Sequence, residues 1–447
     1  MKLDFGKRNM DVATIPFRFM RILGIAGTGG SDVNECFLAL ENTKKNNEQS
    51  WIKEWAALAE KLEQAAQKSM TAGQTLNARQ EYLRASAYYQ VAMFSLSPAD
   101  ERLFTYLARS RQIFHQAAGL FSPQIEVVDI PFGDAHLPAY FMSGGPGKRP
   151  TLLVINGGDS TNEEMVHFIG FTAANRGWNC LVFEGPGQWS ALQLNPGLVM
   201  RVDYEKPVKA VMDYLLQRSD VDSDRIALYG LSLSSLLAVR AAAYDTRITA
   251  CILNGGPVVD VNEAWEAVRP PFVKKTIPGV WDFLFGIVMK LSAQFAGLVN
   301  HFMWSFGVSN LRGVLDAFAP FTIKGMAPLI HCPTLILEGE AEYAQTDKKT
   351  ALSAIRFISE LTCPTTVHEF AIDKDGWAAS HCQIGGVNAA STVIFDWLDK
   401  TLIRKDPAAA KVRQDWSLIK KYHGCEELDK ILECMPDNIV SSSIGSV

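Results

Sequence analysis

Ser232 lies in a segment whose residue types could perform nucleophilic chemistry, Gly230-Leu-Ser-Leu-Ser234. An apolar run at residues 226–229 precedes it and predicts a buried parallel strand, while a Leu- and Ala-rich helical pattern follows it. A strand, a sharp turn with a serine and a helix make up a nucleophile elbow, which projects the hydroxyl above a sheet. The turn requires small residues two positions before and after the serine. Gly230 meets this requirement, whereas Ser234 replaces the usual second glycine, so the pattern alone also fits an ordinary turn.

A serine nucleophile needs a base, and the base needs an acid that orients it. In α/β-hydrolases the order along the chain is serine, acid, histidine, each in a loop after a strand. The apolar run 334–337 predicts such a strand, and Glu342 is the third residue after Gly339, which follows it. Asp347 is the alternative acid, and we prefer Glu342.

His381 has the position that the base requires. It follows the predicted strand 366–370 and precedes the last predicted helix of the domain, residues 387–402. Each of the other seven histidines has a surface or packing explanation that is at least as good as a catalytic one. The sequence therefore predicts a triad of Ser232, Glu342 and His381.

An acyl-transfer site also needs backbone N–H groups that stabilise an oxyanion. In this fold one donor is the residue after the serine, Leu233. The second comes from the loop after an early strand, here the segment at residues 156–161, where two successive glycines allow a substrate to approach the backbone closely. Gly158 or Asp159 would be that donor, although the segment could also be a plain strand-to-helix turn.

Composition excludes several function classes. The net charge of −5 comes from interspersed acids and bases, so neither nucleic acid nor an anionic membrane is an expected partner. The eight cysteines form no C-x-x-C pair, which argues against a disulfide framework and a zinc site. The N-terminus has no apolar signal region. We expect a cytoplasmic protein without metal or cofactor, and a homodimer remains open.

Two other segments could suggest different functions. Gly27-Thr-Gly-Gly30 lacks the order of a dinucleotide-binding loop, so we expect Ser31 or Asp32 to cap a helix instead. Residues 291–311 contain no charged side chain, but polar residues interrupt them. A membrane-spanning helix needs roughly 20 predominantly apolar residues. A helical lid over an apolar cavity is the better interpretation.

The periodicity predicts an α/β-hydrolase fold, a mostly parallel, doubly wound sheet with an N-terminal helical cap and a helical lid insertion. Strands alternate with helices where the sheet is predicted. The predicted parts are a cap at residues 1–124, a catalytic domain at 125–260 and 326–410, a lid at 261–325, and a helical extension with a flexible tail at 411–447.

The predicted lid is rich in aromatic residues. Inserted between two strands, it should cover the carboxyl edge of the sheet, where open α/β sheets bind ligands. We expect an apolar substrate pocket that includes Trp281, Phe285, Phe302 and Trp304. Packing within the lid itself is the alternative role for these side chains.

The chain resembles the α/β-hydrolases with an N-terminal helical cap, a family that includes 2,6-dihydroxypseudooxynicotine hydrolase and the polyketide-shortening hydrolases of fungal melanin pathways. The resemblance extends from about residue 51 to residue 402. Its marks are Tyr82-Leu-Arg-Ala-Ser-Ala-Tyr-Tyr, Gly157-Gly-Asp-Ser, Glu184-Gly-Pro-Gly-Gln188, Val221-Asp-Ser-Asp-Arg-Ile-Ala-Leu-Tyr-Gly-Leu-Ser, Ala241-Ala-Ala-Tyr-Asp-Thr-Arg-Ile and Ser380-His-Cys-Gln.

The resemblance implies that Ser232 is a nucleophile or proton-relay serine, that His381 is the base and that an acid lies near Glu342. It also implies cleavage of an ester or of a carbon–carbon bond beside a ketone. Three residues depart from the family: Ser234 in the elbow, Glu342 in place of the more frequent aspartate, and Glu184, where many relatives have aspartate.

We therefore expect a hydrolase that acts on a bulky, apolar carbonyl compound, most simply a polyketide-type intermediate. A non-hydrolytic cyclisation or condensation catalyst, or an acyltransferase, is the alternative on the same fold. A catalytically silent ligand-binding protein is the alternative from another class.

Overall fold

A computed structural model describes residue 10 and residues 14–45, 47–255, 293–344, 348–406, 421–422 and 439–441. The chain forms two compact units. Unit 1 comprises Met1–Gly144, Asp159–Met200 and Asp282–Val314, and unit 2 comprises Gly145–Gly158, Arg201–Trp281 and Leu315–Val447.

The described helices are α1 (Ile15–Leu23), α2 (Val33–Asn42), α3 (Glu48–Thr71), α4 (Thr75–Met93), α5 (Glu101–Ala118), α6 (Asn162–Met165), α7 (Phe171–Asn175), α8 (Trp189–Leu194), α9 (Glu205–Gln217), α10 (Leu233–Tyr244), α11 (Ala293–Phe306), α12 (Leu311–Phe318), α13 (Glu340–Tyr343), α14 (Lys348–Glu360), α15 (Ile372–Asp375) and α16 (Val387–Leu398). The described strands are β1 (Glu126–Phe132), β2 (Ala135–Met142), β3 (Arg149–Ile155), β4 (Asn179–Phe183), β5 (Val221–Leu231), β6 (Ala250–Asn254), β7 (Thr334–Gly339), β8 (Thr365–Phe370) and β9 (Ile439–Ser441).

Unit 1 is built around long amphipathic helices. Helices α3, α4 and α5 pack in succession, because apolar residues at three- and four-residue spacing give each helix a face that must be buried. Trp51, Trp55 and Tyr88 are fully buried between them. The Trp55 ring lies 5.3 Å from each of the other two ring centroids. Asp32 caps α2 by accepting the N–H of Glu35, as the sequence predicted.

The strands of unit 1 are antiparallel. β1 pairs with β2, and β2 pairs with β4. Gly133 at the turn between β1 and β2 has a φ of 60°, a conformation that glycine adopts without steric cost. The helices α6 and α7 are joined by one π-helical turn, Val166–Gly170.

Unit 2 contains the parallel part of the sheet. β3 pairs with β5, and β5, β6, β7, β8 and β9 then pair in succession, all in parallel. The inner strands are continuous apolar runs because helices cover both faces of such a sheet. The α/β-hydrolase fold class is confirmed.

One short strand lies near the C-terminus. Ile439–Ser441 form β9, which pairs in parallel with β8. The tripeptide Ile439–Ser441 is too short to stand out from sequence periodicity, and its pairing with β8 stabilises it. Most of the predicted extension at 411–447 lies outside the described residues.

The predicted lid is described only in part. Residues 293–306 form α11, whereas Trp281 and Phe285 lie outside the described residues. Within the described part of the chain, no helix is long and apolar enough to cross a membrane.

Replacing Trp55 with alanine should lower the free energy of unfolding by about 3–5 kcal/mol, because it removes a fully buried indole and leaves a cavity. Denaturant unfolding followed by near-UV circular dichroism measures this loss. Lys53→Ala on the exposed face of the same helix is the control and should change stability by less than about 0.5 kcal/mol. Equal effects of the two substitutions would contradict the packing described for α3.

Candidate active site

Ser232 occupies a sharp turn between β5 and α10 in unit 2. Its φ of 56° and ψ of −126° place it in a left-handed conformation that non-glycine residues rarely adopt. Its N–H donates to the carbonyl of Asn254 at the end of β6, 2.6 Å away. A Cβ on Gly230 would lie 2.2 Å from the carbonyl oxygen of Ser234, so only glycine fits two residues before the serine. This is the geometry of a nucleophile elbow.

His381 lies beside the serine. It begins a short helical turn, His381–Gln383, ahead of α16. Its Nε2 atom is 2.9 Å from the Oγ of Ser232, and its Nδ1 atom is hydrogen-bonded to Oε1 of Glu342. Since the carboxylate accepts, Nδ1 carries the proton and Nε2 accepts from the serine hydroxyl. The structure thus brings together the three side chains that the sequence predicted as a triad.

Glu342 reaches His381 because two loops of unit 2 lie close together. Glu342 is on the short helix α13, immediately after β7. A Cβ on Gly339 would lie 2.5 Å from the carbonyl oxygen of Ala379, so glycine allows β7 to approach the histidine loop. Asp347, the alternative acid, lies outside the described residues.

The environment of His381 favours its protonated form. Burial lowers the pKa of the imidazole, whereas the adjacent Cys382 sulfur and Glu342 carboxylate raise it, and the resulting pKa lies well above 6.5. Cys382 also contacts the ring, yet burial raises the pKa of its own thiol, which is therefore neutral near pH 7. Glu342 thus supplies the charge that stabilises an imidazolium.

The sequence predicts no role for Cys382, although this residue belongs to the family mark Ser380-His-Cys-Gln. Its Sγ lies 3.4 Å from Nε2 of His381 and donates to the carbonyl of Asn254, 3.6 Å away. The same carbonyl accepts the N–H of Ser232. The end of β6 therefore contacts both the elbow and the histidine loop, an arrangement that no local sequence pattern specifies.

The loop after β3 is anchored by the serine that replaces the second elbow glycine. The hydroxyl of Ser234, which is fully buried, donates to the carbonyl of Asn156. Asn156 precedes Gly157 and Gly158, the predicted oxyanion loop, and Leu233 begins α10. The bond between Ser234 and Asn156 therefore links the first turn of α10 to the start of this loop.

Asp159, the other candidate donor, belongs to unit 1. Its carboxylate accepts from Nη1 of Arg21 at 2.7 Å, and its carbonyl accepts from Nη2 at 3.3 Å. Arg21 also forms an ion pair with the buried Glu164. The Asp159 side chain therefore has a structural function, which is to bind the guanidinium of Arg21 on α1.

The described members of the predicted aromatic pocket are Phe302 and Trp304 on α11. The Trp304 ring lies 5.7 Å from Trp189 and 5.5 Å from Phe104, and Phe302 lies 6.3 Å from Phe306. These contacts, all within unit 1, form an aromatic cluster. As for metals, the described residues contain no group of three His, Cys, Asp or Glu side chains that could hold an ion.

Comparison with known proteins identifies the family. The profile of the FrsA-like esterases ("Esterase FrsA-like") matches residues 41–269, about half of the chain. The chain belongs to this family.

Fungal α/β-hydrolases are similar over nearly their whole length. The "20-hydroxy-prefusarin hydrolase FUS2" of Gibberella moniliformis is 31% identical over 417 residues, which cover 87% of this chain and 97% of that protein. The "Alpha/beta hydrolase pydG" of an Acremonium species is 33% identical over 425 residues, 88% of this chain and 97% of that protein.

Solved structures share the fold. The crystal structure of the 2,6-dihydroxy-pseudo-oxynicotine hydrolase matches with a TM-score of 0.65 and 23% identity, over 86% of this chain and 96% of that one. AbyA5 matches with a TM-score of 0.56 and 17% identity, over 84% of this chain and 95% of that one. The resemblance inferred from the sequence is confirmed.

Ser234→Ala should lower kcat about 10-fold and leave KM nearly unchanged, because losing the bond to Asn156 would loosen the predicted oxyanion loop, which would act mainly in the transition state. Steady-state kinetics on an activated aryl ester measures both constants. Ser235→Ala is the matched control: this serine is also buried in α10, but its hydroxyl bonds to the carbonyl of Gly230. An equal fall in kcat for both variants would indicate general damage to α10 instead.

Proposed function

We propose that this chain is a serine hydrolase in which Ser232 is the nucleophile, His381 the general base and Glu342 the acid that orients the base. The observation that carries the proposal is the 2.9 Å contact between the serine Oγ and the imidazole Nε2. A contact of this length suits proton transfer from the hydroxyl as it attacks. Family membership supports hydrolysis as the reaction class.

In the proposed mechanism, Oγ of Ser232 attacks the substrate carbonyl and its proton passes to Nε2 of His381. The Glu342 carboxylate stabilises the imidazolium that results. Backbone N–H groups of Leu233 and Gly158 hold the developing oxyanion. When the intermediate collapses, the bond to the leaving group breaks and the imidazolium returns its proton to the leaving oxygen or carbon. Water then releases the acyl group by the same steps.

We propose that the substrate is a bulky, apolar carbonyl compound of the polyketide type, cleaved at an ester or at a carbon–carbon bond beside a ketone. The fungal relative named as a 20-hydroxy-prefusarin hydrolase, which aligns with 87% of this chain, supports this substrate class.

Ser232→Ala should lower kcat by about 10⁴-fold or more and abolish labelling by a fluorophosphonate probe, since both need the nucleophilic oxygen. Ser235→Ala should retain activity and labelling. Product analysis in ¹⁸O-labelled water should show the label in the released acid, because a hydrolase adds water to the acyl group. Products that contain no ¹⁸O from the water would favour a cyclisation catalyst or acyltransferase. Undiminished turnover by Ser232→Ala would overturn the assignment of Ser232 as the nucleophile.

The rate should depend on pH through His381, which accepts a proton only when neutral. Because the Glu342 carboxylate raises the pKa of this imidazole, kcat/KM should fall as pH falls, with a midpoint above 6.5. Glu342→Gln removes the charge, so the midpoint should move to lower pH while the rate drops about 10²–10⁴-fold. Glu340→Gln is the control, since its carboxylate bonds to Lys421 and Tyr422 instead. An unchanged midpoint in Glu342→Gln would contradict the pairing.

A further inference from the structure

Unit 1 contains a cavity of about 190 Å³ whose lining includes none of the triad residues. It lies among α5, the hairpin of β1 and β2, and the short helices α6 and α8. Its polar lining residues are Arg111 and His115 from α5, Asp129 from β1, Tyr140 from β2, Asn162 and Glu163 from α6, and Ser190 from α8. Pockets for drug-sized ligands are typically about 300–1,000 Å³, so this cavity suits a smaller molecule.

One wall of the cavity is a fixed hydrogen-bond chain. The hydroxyl of Tyr140 donates to Oε1 of Glu163 at 2.6 Å. Since the only hydrogen of that hydroxyl is then used, Nε2 of His115, 3.1 Å away, must donate to the tyrosine oxygen. Gln90 donates to the other carboxylate oxygen of Glu163 at 3.4 Å. Burial lowers the pKa of His115, so its ring is neutral near pH 7.

Two other lining groups retain unused hydrogen-bonding capacity. Ser190 is 1% exposed, and its hydroxyl has no partner among the described residues. Leaving a buried hydroxyl unmatched is costly unless something pairs with it. Arg111 donates one N–H to Oε1 of Gln193 at 3.1 Å and forms no ion pair within the described part of the chain. A guanidinium has five N–H groups, so several remain for an acceptor.

The charges around the cavity select against anions. Glu163 and Asp129 line it with two carboxylates, against the single guanidinium of Arg111. An uncharged carbonyl oxygen of a ligand is therefore a better acceptor for the unused N–H groups of Arg111 than a third carboxylate would be. At the mouth, Val127 and Leu194 are each 48% exposed and offer apolar surface to a short hydrocarbon segment.

We propose that this cavity is a second binding site, for a small neutral molecule that carries a carbonyl and a hydroxyl on a short carbon chain. The carbonyl accepts from Arg111, the hydroxyl pairs with Ser190, and the carbon chain covers Val127 and Leu194. The site goes beyond the proposed hydrolase activity and does not depend on it.

The test uses the full chain and three probes of similar size: 4-hydroxybutan-2-one, pentan-2-one, which lacks the hydroxyl, and 3-hydroxybutyrate, which is an anion. Ligand-observed NMR titration should give a Kd on the order of 1 mM for the hydroxyketone and at least about 5-fold weaker binding for the other two. Fluorophosphonate-treated protein should bind equally well, which separates this site from Ser232.

Ser190→Ala should weaken binding of the hydroxyketone about 5-fold or more without lowering Tm, because the hydroxyl has no protein partner to lose. Ser110→Ala on α5 is the matched control. Its buried hydroxyl donates to the carbonyl of Ser86 at 3.0 Å, so Tm should fall while affinity is kept. Arg111→Gln should also weaken binding. Tighter binding of the anion, or affinity that neither Ser190→Ala nor Arg111→Gln alters, would overturn the proposal.

Discussion

The left-handed conformation of Ser232 is the constraint on which the rest of the candidate site depends. A non-glycine residue in such a conformation costs about 1–3 kcal/mol, and it persists only where its surroundings hold it. Here the N–H of Ser232 is bound by the carbonyl of Asn254, and glycine at position 230 lets α10 begin directly against β5. A Cβ on Gly255 would also lie 2.8 Å from the Cα of Ser232. The sheet and two glycines therefore fix the direction of the hydroxyl.

The carbonyl of Asn254 connects this turn to the base. It accepts the N–H of Ser232 and the thiol of Cys382, the residue after His381. Cys382 is itself left-handed, with a φ of 53°. Two strained residues, 150 positions apart in the chain, are thus held by one backbone oxygen at the end of β6. The alignment of Oγ of Ser232 with Nε2 of His381 consequently depends on the backbone position of Asn254 as well as on the two side chains.

The parts of the site that follow from the sequence are those with a local physical cause. Ser232 could be found because a tight turn demands small neighbours, and Glu342 and His381 because each follows an apolar run that forms a strand. The bond from Ser234 to Asn156, and the carbonyl that joins Ser232 to Cys382, could not be found, since they connect segments far apart in the chain. The three-residue strand β9 escaped prediction for the same reason: its stability comes from β8.

The environment of each carboxyl explains why Glu342, among three alternating glutamates, can serve the histidine. Glu338 is fully buried and pairs with Glu369 in the β7–β8 register. Burial and the neighbouring carboxylates raise its pKa well above 4.5, which favours its neutral form. Glu340 is partly desolvated, but its bonds to Lys421 and Tyr422 outweigh this effect and lower its pKa. Its charge is therefore already paired. The remaining carboxylate, Glu342, bonds to Nδ1 of His381 and fixes the tautomer in which Nε2 accepts the hydrogen bond of the Ser232 hydroxyl.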